Sequence, residues 1–139
     1  ESANTDVWGL CESTEISSHL QSFWLGFRKG VLSDRPLARY WRDIAIQPTK
    51  DQLIQKYEVG FAEYLRTNGY QASEMFPAGS LVRGPRNPSH FGWKQLLESG
   101  VPMVKRDLVT NSGVTPDSDT IPAFVKDRYG VNISDWISH

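Results

Sequence analysis

The chain has 139 residues, 39% of them hydrophobic and 12% aromatic with five Trp, which excludes a disordered tail and suits one domain or one piece of a larger one. Lys+Arg 15 against Asp+Glu 16 leaves a net charge of −1, so no basic excess points to nucleic acid. One cysteine, Cys11, excludes an internal disulfide and fits a reducing compartment; no apolar run of about 18 residues is present, so no membrane span is expected within these residues, and no signal-peptide pattern appears.

Asp6-Val7-Trp8-Gly9-Leu10 reads as a short strand running into a polar loop, Glu12-Ser13-Thr14-Glu15. From His19 to Arg28, apolar and aromatic residues fall on both sides of the period-two alternation, which predicts a strand buried on both faces. Ser33-Asp34 offers a helix N-cap with Pro36 in the first turn. Leu37, Tyr40, Trp41 and Ile44 would form that helix's apolar face. Thr49 and Gln52 have capping-box spacing and open a second helix, which Asn68-Gly69 closes. Tyr70 to Phe76 is a strand stopped by Pro77, and residues 78–89, rich in Gly, Pro and Arg, read as a loop. Asn87 or Ser89 caps a helix carrying Phe91, Trp93, Leu96 and Leu97, which Gly100 ends. Val101 to Val109 reads as extended and Asn111 to Thr120 as a loop. A last helix runs from about Pro122 to Tyr129, and Ile133, Trp136 and Ile137 make a final apolar turn. The alternation of strands and helices predicts an α/β layered architecture, a short mixed sheet flanked by four or five helices. The strands are few for an independent sheet, and the start at Glu1 without Met suggests an excised piece or a processed chain. Residues 1–139 are therefore expected to be a single domain or the C-terminal part of a larger one.

The second helix carries the most informative residue. At about 100° per residue from Leu53, Tyr57, Ile54, Phe61, Tyr64 and Leu65 fall within roughly 0–120° and Glu58 at about 140°. A carboxylate at the edge of an apolar stripe is a candidate for a raised pKa and a proton-transfer role. Gly60 leaves room beside it. The alternative is a rim glutamate paired with a lysine or arginine.

Other candidates carry bland alternatives of their own. Glu15 and His19 are i, i+4 if their loop is helical, and could orient each other or hydrogen-bond a ligand; a solvated loop glutamate and a satisfied structural histidine are the alternatives. Gln21 and Ser22 could donate to a hydroxylated ligand, or a buried Gln21 amide could simply bond the backbone. Lys105-Arg106, with His90, could hold phosphate oxygens, or could be ordinary surface charge. Arg83 and Arg86 belong either to a lid or to a merely solvated loop. Trp8, Trp24 and Trp41 are expected in the core rather than as stacking platforms. No His/Cys/Asp cluster has metal-ligand spacing, and no phosphate loop or dinucleotide fingerprint is present.

Two resemblances rest on these stretches. Tyr57-Glu58, Leu65, Gly69-Tyr70 and Met75-Phe76-Pro77 resemble a segment of GT-A glycosyltransferases in which an acidic pair opens a helix that leads, through a Gly-aromatic step, to a strand ending in proline. The family's second acid, its usual catalytic base, falls on Glu58; the first is Tyr57 here. Over nearly the whole chain the sequence is similar to the rhamnan synthesis protein F family of bacterial polysaccharide biosynthesis. The matching stretches are Trp8-Gly9-Leu10, Glu15 to Phe23, Ile54 to Gly60, Asn87 to Phe91, Pro102 to Arg106 and Tyr129-Gly130.

The resemblance implies a C-terminal, acceptor-side part of a glycosyltransferase domain, partly GT-A-like. Its reaction would be inverting transfer of rhamnose from a nucleotide-activated donor such as dTDP-rhamnose to a glycan acceptor, with Glu58 as base. Glu15, His19, Gln21, Ser22, His90, Lys105 and Arg106 would bind substrate. No cofactor is expected within the chain; a divalent metal would belong to the full-length protein. The resemblance places such a protein in lipopolysaccharide or O-antigen biosynthesis, in the cytoplasm or docked at the inner face of the membrane. A non-catalytic carbohydrate-binding or assembly module is the alternative.

Overall fold

Val7–Ser13 forms β1, the strand on which the rest of the sheet is built. In the computed structural model, which describes residues 4–111 and 113–137, the last two by backbone alone, β1 pairs along both edges. It pairs antiparallel with β2 (His19–Leu20) and with β3 (Leu25–Phe27), in the order β2-β1-β3. It also pairs parallel with β4 (Ala72–Phe76), Val7 opposite Ala72 and Cys11 opposite Phe76. The sheet is thus four-stranded and mixed, with an α/β order of elements as the alternation predicts. β1 is buried on both faces from Gly9 through Cys11, as a central strand should be.

The expected continuous strand from His19 to Arg28 is broken. Gln21 N–H donates to the Cys11 carbonyl (3.0 Å) and Leu10 N–H to that of Trp24 (3.2 Å), and between these two bonds Ser22 and Phe23 form a turn. Here Phe23 and Trp24 turn outward, 39% and 47% exposed, and the strand is not buried on both faces.

Helix α1 (Arg35–Arg42) starts at Asp34, whose side chain makes no cap bond, with Pro36 in its first turn. Leu37 is buried and Tyr40 and Trp41 pack beside it, but α1 ends before Ile44, which is 44% exposed. In α2 (Lys50–Ile54) the Thr49 hydroxyl accepts from Gln52 N–H, the first half of the expected capping box. The chain then widens into a π-helical turn, Gln55–Val59, before α3 (Gly60–Thr67). Gly60 N–H bonds the Gln55 carbonyl five residues back. A Cβ on Gly60 would stand 3.3 Å from that carbonyl oxygen, so the glycine accommodates backbone rather than leaving room for Glu58. Helix α3 ends in a Schellman motif. Gly69 takes φ +77°, Tyr70 N–H bonds the Leu65 carbonyl, and Gly69 N–H bonds that of Arg66. Its core face is Phe61 and Leu65, 2% and 1% exposed. Each contributes roughly 1.5–3 kcal/mol through burial.

After Pro77, α4 (Ala78–Leu81) occupies what reads in sequence as loop and buries Ala78 and Leu81. The chain divides into two compact units, Glu1–Arg86 and Asn87–His139. In the first, Val7, Leu20, Val31, Leu37, Phe61 and Leu65 form the core. The second holds α5 (Pro88–Phe91), α6 (Trp93–Glu98), α7 (Asp107–Thr110), α8 (Ile121–Tyr129) and α9 (Ser134–Ile137). Its core is Trp93, Leu97, Leu108, Ile121 and Val125. Asn87 caps α5 by accepting from Ser89 N–H (3.2 Å). The expected extended segment 101–109 carries no strand, and its end coils into α7. Short helices of one or two turns account for the excess over the four or five expected. Ile133 packs on the second core; the expectation for the Trp136 and Ile137 side chains falls outside the described residues.

Candidate functional site

The turn between β2 and β3 and the π turn meet at Glu58. Ser22, carried on the first of these, donates its hydroxyl to Glu58 Oε1. His19, on β2, places Nε2 3.8 Å from Glu58 Oε2, an ion-pair distance and longer than a hydrogen bond. The Glu58 side chain is 20% exposed and that of His19 3%. His19 Nδ1 lies 2.7 Å from the Ser17 carbonyl. A carbonyl only accepts, so Nδ1 carries the hydrogen, and Nε2 is the nitrogen that gains or loses a proton. Burial pulls the imidazole pKa down, but the Glu58 carboxylate, the Ser17 carbonyl and the Glu15 charge outweigh it, and the net direction is upward. Both segments depart from regular geometry. An unbroken strand would alternate Ser22 with its neighbours, and an unbroken α-helix would wind Glu58 on the tighter period.

The first unit brings His19, Ser22 and Glu58 together. The Glu15 charge acts on His19, but its loop is not helical, so the i, i+4 geometry does not form, and its backbone N–H donates to the Ser13 hydroxyl (3.3 Å). Gln21 is buried at 3% exposure, and its backbone N–H is part of the strand pairing. A cleft of about 300 Å³ lies beside the cluster, and His19 is the cluster member that lines it, with Glu12, Arg66, Tyr70 and Glu74 contributing polar groups. Ser18 donates to Glu12 at its rim (2.5 Å). Glu12, Arg66 and Glu74 carry no sequence motif, and only the register of β1, β4 and α3 collects them.

In the second unit His90 Nε2 and Asp107 Oδ2 are 3.0 Å apart, with the side chains 20% and 33% exposed. The acid next to Lys105-Arg106 therefore engages His90, a pairing that sequence spacing did not suggest. Lys105 is half-buried, and Arg106 is exposed at the start of α7. Arg83 and Arg86 are exposed between α4 and α5.

Two tryptophans expected in the core are not there. Trp8 is 38% exposed and Trp24 47%; Trp41 is half-buried against Phe27 and Phe61. Trp8 lies across Gly26 on the paired strand, so closely that a Cβ there would overlap the indole. The missing signal is glycine: residue 26 has no side chain to cover the neighbouring ring.

Among the described residues no group of three or more His, Cys, Asp or Glu side chains is arranged to hold a metal ion.

Fold and cluster together define an α/β chain with a carboxylate held between an imidazole and a hydroxyl. The family model for rhamnan synthesis protein F matches residues 1–127, and the chain belongs to that family, which ties it to polysaccharide biosynthesis. It is also similar to the virulence protein VirA of Vibrio anguillarum, including that of strain ATCC 68554 / 775, at 20% identity over 138 residues, covering 78% of this chain and 45% of VirA. The chain thus spans about half the length of the curated relatives it matches. No solved structure matches it.

Proposed function

We propose that the chain is the acceptor-side part of a sugar-transferring protein of polysaccharide synthesis, with Glu58 as the base that takes the proton from the attacking acceptor hydroxyl. The supporting observation is the convergence of Ser22 and His19 on Glu58 from two irregular backbone segments. In an inverting transfer, the acceptor oxygen forms the new bond to the anomeric carbon as the bond to the diphosphate breaks. The acceptor proton goes to the carboxylate and the electron pair leaves with the diphosphate. Ser22 holds one carboxylate oxygen, Oε1, and His19 Nε2 faces the other, Oε2, at 3.8 Å. The donor in this reading is a nucleotide sugar such as dTDP-rhamnose. In the first unit Glu15, His19, Gln21 and Ser22 serve the sugars; in the second, taken by itself, His90, Lys105 and Arg106 are the candidates for binding phosphate oxygens. Lipopolysaccharide or O-antigen is the proposed product and the cytoplasmic side the proposed location.

A second reading is favoured by Trp8. An exposed indole packed against Gly26 is the kind of surface on which sugar rings stack, as a non-catalytic carbohydrate-binding module would use. Incubating the full-length protein with dTDP-rhamnose and a glycan acceptor separates the readings. Release of dTDP with extension of the glycan supports transfer. Glycan binding without release, lost on Trp8→Ala, supports the module.

A further inference from the structure

We infer that the loop between α1 and α2 is a docking tip for an anionic lipid surface. Ile46 is 99% exposed, and Ile44 and Leu53 flank it in sequence at 44% and 45%. A stray apolar residue on a surface is ordinary, but one held outward is not. Tyr57 accepts from Ala45 N–H (2.7 Å) and from Gln47 Nε2 (3.3 Å), and Gln47 Nε2 also donates to the carbonyls of Ala45 (2.7 Å) and Ile46 (3.2 Å). These bonds use the polar groups of the loop to fix its backbone while the isoleucine side chain stays in solvent. Insertion of such a tip carries little ordering cost, because the loop is already ordered.

Charge selects the partner. Residues 35–56 hold five cations, Arg35, Arg39, Arg42, Lys50 and Lys56, against two acids, Asp43 and Asp51, in a chain whose net charge is −1. Arg39 and Arg42 both reach Asp43, at 3.4 Å each, so one acid answers two arginines, and their side chains remain 72% and 73% exposed. A projecting isoleucine within a basic segment matches the apolar interior and negative surface of an anionic bilayer. A protein partner would need a cavity shaped for one residue. Tyr57, which pins the loop, precedes Glu58 in the π turn, so docking would hold the Glu58 cluster close to the membrane. The inference stands on the loop alone and does not depend on Glu58 being a base.

Sedimentation of the full chain with phosphatidylcholine vesicles, with and without phosphatidylglycerol, tests it. Binding is expected only with the anionic lipid and should weaken as salt rises. Ile46→Asp should reduce it by about tenfold or more. Arg39→Gln with Arg42→Gln should reduce it while leaving the circular dichroism unchanged. No binding of the wild-type chain to anionic vesicles overturns the inference, as does binding that Ile46→Asp leaves intact. Concentration-dependent self-association abolished by Ile46→Asp, without vesicle binding, would assign the tip to a second copy of the chain instead.

Discussion

Ser22 and Glu58 lie 36 residues apart in sequence and are joined by a hydrogen bond from the serine hydroxyl to one carboxylate oxygen. Each reaches the other from an irregular segment, the turn between β2 and β3 and the π turn between α2 and α3. Removing the hydroxyl tests whether that bond orients the carboxylate. Ser22→Ala should cost about 0.5–1.5 kcal/mol of stability, the ordinary worth of one hydrogen bond. Denaturant unfolding reads the first quantity, and a lower transfer rate in the full-length protein at unchanged fold reads the orienting role.

His19 makes the stability of the first unit depend on pH. Its pKa in the folded chain is raised above the ordinary 6.5 by the balance of burial against Glu58, Ser17 and Glu15. A raised folded pKa means that the protonated form is favoured by folding. The resulting stabilisation is complete below about pH 6.5 and is lost as pH rises through the folded value. Unfolding midpoints measured from pH 5 to 9 should show this decline, and His19→Gln should flatten it. An equal decline in the variant would place its origin elsewhere.

Gly26 should be intolerant of any side chain. Its neighbour Trp8 occupies the space a Cβ would need. Gly26→Ala is expected to displace the indole, shift the tryptophan emission and lower the unfolding midpoint, at a cost of about 1–3 kcal/mol as for overpacking. A Trp8→Ala, Gly26→Ala pair should recover part of that loss; no recovery would mean that the strand itself, not the ring, rejects the methyl group.

Much of the architecture was legible because it follows from local chemistry. Thr49, Gly69 and Asn87 cap or terminate helices where their residue types demand it, and Pro77 marks the end of β4. Phe61 and Leu65 face the core as their helical spacing requires. The site was half legible. Glu58 stood out by its place beside an apolar stripe, and His19 and Ser22 by their neighbours, but nothing local revealed that they meet. That meeting depends on a turn that interrupts the expected strand and on a helical turn with one residue too many, both settled by tertiary pairing. The same interruption turned Trp24 outward, and the missing side chain of Gly26 left Trp8 uncovered, so hydrophobicity alone misplaced both. His90 found Asp107 because α7 coils a segment whose pattern looked extended.

The most direct measurement of the central claim is sugar transfer by the full-length protein carrying Glu58→Gln. Glutamine keeps the shape and can still accept from Ser22, but it cannot take a proton at neutral pH. The account predicts a loss of roughly a hundredfold to ten-thousandfold in turnover with the fold and nucleotide-sugar affinity retained. Turnover within a few-fold of wild type would contradict it and return Glu58 to the role of a structural carboxylate.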